Sequence, residues 1–137
     1  MPKSKKPRKP YQPSDVVKPL NMRNPWLTEG DVHGALLALE GGQACEDHLA
    51  MLAAHGDIIR RIYPEDSAEH RQAHTIVRMV GLAVRREGFM VLPLEEAAIR
   101  AAVQVTLPAL QRATNRKILD AANGARAFAA KHGGVRV

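Results

Sequence analysis

Between residues 45 and 63, apolar or small side chains recur at Cys45, Leu49, Leu52, Gly56, Ile59 and Tyr63, at steps of four and three in strict alternation. An α-helix returns such positions to one face, because its turn of about 3.6 residues falls between the two steps. A strand would instead need every second residue to be apolar. The seam therefore predicts a helix over roughly 44–63 with one side buried. Glu46 and Asp47 lie in its first turn and Arg60 and Arg61 in its last, each sign matched to the helix dipole. Pro64-Glu-Asp-Ser67 breaks the run.

The same periodicity continues on both sides. Thr28 reads as a helix cap, with Asp31 able to reach back to it. Val32, Ala35, Leu36 and Leu39 then mark one face, and Gly41-Gly42 ends the helix. A third helix is predicted over roughly 67–87, capped by Ser67, with Ala73, Ile76, Val77, Val80 and Val84 turned inward. A short extended link, Phe89-Met-Val-Leu92, leads to Pro93 and a long last helix over roughly 94–131. Its inward row is Ile99, Val103, Leu107, Leu110, Thr114, Ile118, Ala121, Ala125 and Phe128. A second row, Ala98, Ala102, Val105 and Ala109, is open to a neighbouring helix or another subunit. Pro108 falls inside this helix and removes one hydrogen bond, so a kink or break near 104–108 is expected. The tail 132–137 is expected to fray. Short linkers imply antiparallel neighbours, so the expected fold is all-α, a small bundle of about four helices over 28–131.

Ahead of the helices, residues 1–27 have a different character. Six prolines, at 2, 7, 10, 13, 19 and 25, disfavour helix, so an extended arm and strap is expected. Residues 1–12 are read as free, and the stretch containing Val16, Val17, Leu20, Met22, Trp26 and Leu27 as lying on the body. Residues 1–23 hold seven of the twenty bases and one of the fourteen acids, leaving thirteen of each in the remainder. The net charge of +6 therefore belongs to the leader. The single cysteine, Cys45, rules out an internal disulfide and suits a reducing compartment. The start lacks the apolar run of a secretory signal, and no apolar stretch approaches the ~20 residues of a membrane span. A cytoplasmic protein of a bacterium or its virus is expected, without a cofactor.

The basic opening Pro-Arg-Lys-Pro-Tyr-Gln-Pro is followed by Gly-Gln-Ala-Cys-Glu-Asp-His-Leu-Ala-Met-Leu from Gly42 to Leu52. Later come the stretch Arg85 to Val103 and Pro-Ala-Leu-Gln-Arg-Ala-Thr from Pro108 to Thr114. This order resembles a group of small helical proteins encoded by phages and prophages of proteobacteria. Pro108 departs from it, standing where a charged stretch would be. The resemblance implies a viral or prophage origin and carries no activity with it.

Chemistry-bearing residues are few. Lys3, Lys5, Lys6, Arg8 and Lys9 could neutralise phosphates or an acidic partner, and Tyr11 could stack on a base. His70 and His74 are four apart on one helix, with Cys45, His48 and His55 on the preceding one. No spacing among them matches a zinc signature, and they read as partly exposed helix residues with Cys45 a small core residue. Glu95 and Glu96 are adjacent, so they diverge around the helix and read as first-turn acids, not a catalytic pair. No glycine cluster forms a phosphate-cradling loop. Phe89, Met90, Val91 and Leu92 exceed what one face of an extended link can bury, and are expected to offer a patch to a partner.

The expected role is therefore non-catalytic: an accessory or regulatory protein that binds a host or viral protein or nucleoprotein complex, with the arm as tether. Direct DNA or RNA binding, or a structural part of a virion, are the alternatives.

Overall fold

A computed structural model describes residues 29–137 together with the backbone of Val16–Val17. The chain is all-α: helices α1 (Glu29–Glu40), α2 (Glu46–Ile62), α3 (Ala68–Val84), α4 (Pro93–Arg112) and α5 (Asn115–His132). Two strands of two residues each, β1 (Val16–Val17) and β2 (Val135–Arg136), form an antiparallel ribbon in which Val16 faces Arg136 and Val17 faces Val135.

Local chemistry sets most of the helix ends. At the end of α1, Gly42 takes a left-handed φ of 67°, Gln43 N–H donates to the Ala38 carbonyl and Gly42 N–H to that of Leu39. These two bonds satisfy carbonyls that the helix leaves bare, as a Schellman ending does. Ser67 caps α3 by accepting the His70 amide, as its sequence position predicts. Cys45 stands just outside α2 and is exposed, because the helix begins at Glu46 and not at 44. The seam's first position is thus a cap and not part of the core.

Helix α2 is central, packing against α1, α3 and α5, while α3 also packs along α4. Leu49, Leu52, Ile59, Ile76, Val77, Val80 and Ile99 are fully buried where these faces meet. The α2–α3 crossing is close. A methyl group added at Gly56 would lie 2.8 Å from Val77 Cγ2 and 2.9 Å from the Ala73 carbonyl oxygen. Gly56 is in the seam because nothing larger fits between the two backbones. Tyr63, at the end of the seam, donates its hydroxyl to the Ala109 carbonyl at 2.7 Å and so links α2 to α4.

Two expectations are corrected. The long last helix is two helices, and the break is at Ala113-Thr114, not at 104–108. Ala113 is extended (φ −73°, ψ 147°), and the Thr114 hydroxyl caps α5 by accepting the Lys117 amide. Helix α4 runs through Pro108. Both Pro108 and Gln104 are exposed, so the carbonyl deprived of its donor can be hydrated. Thr114 occupies an inward-row position in the sequence, but its hydroxyl is worth more at a cap than in a core.

The tail also differs from expectation. Gly133 takes φ 82° and turns the chain at the end of α5, and Val135 is fully buried in β2. Of the second row on α4, Ala102 and Ala109 are buried within the chain while Val105 is exposed. The sequence-predicted cap Thr28 and the leader apart from Val16–Val17 lie outside the described residues.

Two glycine substitutions should have opposite effects. Gly56→Ala should lower the unfolding free energy by about 1–3 kcal/mol through overpacking at a backbone contact. Gly34→Ala in α1, where nothing lies within 4 Å, should raise it by about 0.5–1 kcal/mol through helix propensity. Denaturant titrations of both variants measure this.

Candidate functional site

The corner between α3 and α4 is built around an ion pair. Arg86 follows the end of α3, and its NH1 and NH2 donate to Glu95 Oε1 and Oε2 at 2.5 and 2.6 Å. NH1 also donates to the Met90 carbonyl at 3.1 Å, and the Leu92 amide donates to Glu95 Oε1 at 3.0 Å. Glu95 is thus both the capping acid of α4 and the anchor of the corner. Its carboxyl is held below the usual carboxylate range, chiefly by the Arg86 hydrogen bonds and with help from the Leu92 amide. Glu96 diverges from it and lies near Arg100.

Within this frame the link alternates. Phe89 and Val91 pack against the core, while Met90 and Leu92 point outward at 59% and 41% exposure. Leu94, in the first turn of α4, extends the outward row at 86% exposure. A short 3-10 turn over Glu87–Phe89 makes this possible, with Gly88 at φ 74° and Phe89 at φ 55°. A left-handed phenylalanine costs on the order of 1–3 kcal/mol, which ring burial can offset. Phe89, Met90 and Val91 also border a hollow of about 240 Å³ whose far wall is Leu39, Gly42 and Ala44. The four apolar residues singled out in the sequence are therefore two inward anchors and two exposed side chains. Leu94 belongs with the exposed pair. The period-2 alternation could have shown which were which.

The arm residues Lys3, Lys5, Lys6, Arg8, Lys9 and Tyr11 lie outside the described residues. The histidines separate. Cys45 and His48 form a local pair, Sγ 3.3 Å from Nδ1, with the Cys45 amide donating to the same nitrogen at 3.1 Å. His70 and His74 border a cleft of about 330 Å³ with Glu65 and Arg71. Among the described residues, no group of three or more His, Cys, Asp or Glu is placed to hold a metal ion.

His55 is not a partly exposed helix residue. It is 1% exposed, and its Nε2 shares a 2.8 Å hydrogen bond with Thr106 Oγ1 of α4. Its Nδ1 has no hydrogen-bond partner among the described residues, and burial lowers its pKa to about 4. Thr106 stands 51 positions away, so no sequence spacing could have revealed the pair. A second cluster was legible in part. Asp57, 4% exposed, accepts from Arg60 NH2 at 2.8 Å and Arg61 Nε at 3.0 Å, the i+3 and i+4 spacing of helical ion pairs. What the spacing hides is the reach of Arg60, which also lies 3.1 Å from His74 Nδ1 and donates to the Arg136 carbonyl at 2.6 Å.

His55 makes stability depend on pH. Its folded pKa lies below the ordinary value of 6.5, so the unfolded chain binds the proton more readily. The stabilisation is complete above 6.5 and is lost as pH falls toward 4, by up to about 1.4 kcal/mol per pH unit. Unfolding free energies between pH 7 and 5 should show this slope, and His55→Leu should reduce it to what His74, whose pKa is also lowered, contributes, whatever its effect on stability at pH 7.

Comparisons with protein-family models, with curated proteins and with solved structures find no match to this chain.

Proposed function

We propose that this chain is a non-catalytic accessory or regulatory protein of phage or prophage origin, acting in the cytoplasm of a bacterial host. Its helices, arranged as an antiparallel bundle, recognise a host or viral protein or nucleoprotein complex. Its basic leader is the electrostatic tether that speeds and orients the encounter. The observation that carries this reading is the partition of charge: the leader holds the whole net excess, and the remainder balances thirteen bases with thirteen acids.

The exposed Met90, Leu92 and Leu94 supply the specific contact in this reading. A flexible apolar loop would lose entropy on docking, whereas the Arg86–Glu95 clamp holds this one before the partner arrives. Unbranched and γ-branched side chains also adapt readily to an apolar groove.

A pull-down from host lysate with the full chain, with and without nuclease, tests both parts. Deleting residues 1–12 should weaken capture at low salt and flatten its salt dependence. Met90→Asp combined with Leu94→Asp should reduce capture about tenfold or more at every salt concentration, with helical circular dichroism unchanged. Capture that is indifferent to both changes overturns the reading.

A further inference from the structure

The balance of charge in the helical body is a balance of totals, and the structure distributes it unevenly. Helix α1 carries Glu29, Asp31 and Glu40 and no lysine or arginine. Helix α3 and the two residues after it carry Arg71, Arg78, Arg85 and Arg86 against the single acid Glu69. Arg86 is taken up by Glu95, and Glu69 by Arg112 of α4.

Two contacts place the chain's last residues along α3. Arg60 joins His74 Nδ1 to the Arg136 carbonyl. A methyl group at Gly81 would lie 3.1 Å from Val137 Cγ2. Residues 136 and 137 therefore follow the helix face on which 74, 78, 81 and 85 succeed one another. Arg78, Arg85 and Arg136 are all exposed. Lys131 is exposed in the last turn of α5, and the chain passes from there through Gly133 into the ribbon. Of the acids near this face, Asp57 is buried under Arg60 and Arg61, while Glu65 lines the His70–His74 cleft and Glu87 is exposed next to Arg86. His74 shows the resulting field: burial lowers its pKa first, and Arg60, Arg78 and His70 lower it further.

β1, the described part of the leader, pairs with β2 so that Val16 stands opposite Arg136, and it packs against α3. We infer that α3 and the β1–β2 ribbon form a cationic face that binds the phosphate backbone of nucleic acid, with Arg78 and Arg136 at its centre. Exposed guanidinium groups spaced along a helix and a strand suit a repeating row of phosphates, which they contact without reading bases. The inference rests on the reading of this protein as a binder with a cationic leader, and adds that the folded body takes part in contacting the polyanion.

The experiment is fluorescence anisotropy of a labelled 20-base-pair duplex of arbitrary sequence, titrated with the full chain over a series of salt concentrations. Arg78→Glu with Arg136→Glu should weaken binding about tenfold or more near 0.1 M salt and reduce the salt slope by about 2. Arg116→Glu with Lys117→Glu, at the opposite end of α5, changes net charge equally and should have a much smaller effect. Equal loss in the two double variants overturns the face, as does an absence of duplex binding by the parent chain. Polyglutamate competing as well as unlabelled duplex also overturns it, since the face would then suit an acidic protein. A third variant, with Lys3, Lys5, Lys6, Arg8 and Lys9 changed to Ala, separates the two readings. Duplex binding that persists there and still depends on Arg78 and Arg136 sustains the face while removing the tether.

Discussion

Everything in this structure is arranged around the close approach of α2 and α3 at Gly56. Two helix backbones can come together there because one of them presents only hydrogen, and the gain is dense contact between their apolar faces. The remaining helices then occupy what is left: α1 and α5 against α2, and α4 against α3. A chain with 4% aromatic residues has few large side chains with which to fill a wide interface. Small residues and short helix-to-helix distances are the alternative, and this protein uses them.

The polar groups inside the fold fix how the helices are aligned. Arg60 is the clearest case. One guanidinium touches Asp57 of its own helix, His74 of α3 and the backbone of β2, so it registers three elements against each other. His55 and Thr106 do the same between α2 and α4. Such contacts add little net free energy when satisfied, yet breaking one leaves a buried polar group bare. They select one packing among several that the apolar surfaces would accept.

Much of the fold is written in local patterns, and the exceptions are instructive. The helical seam of α2, the Ser67 cap and the Gly41-Gly42 stop depend on neighbours a few residues away, and all of them are present in the structure. Thr114 misled because one residue satisfied two patterns, an apolar-face spacing and a cap, and only the three-dimensional ending of α4 decides between them. Pro108 misled in the other direction, since an exposed position lets water replace the lost bond. The tail 132–137 gave no sign of order, because Val135 is buried against elements far away in the sequence. The candidate site was legible as a run of four apolar residues with a period-2 alternation, but what holds that run in place was not. The Arg86–Glu95 clamp that orients it crosses a turn, and no periodicity spans that turn.

The ribbon pairs Val16 with Arg136 and Val17 with Val135. The ribbon thereby closes a loop of chain that contains all five described helices. A contact between positions so distant in sequence carries a loop-closure entropy that the packing of those helices must first offset, so the two short strands depend on the rest of the fold for their own pairing.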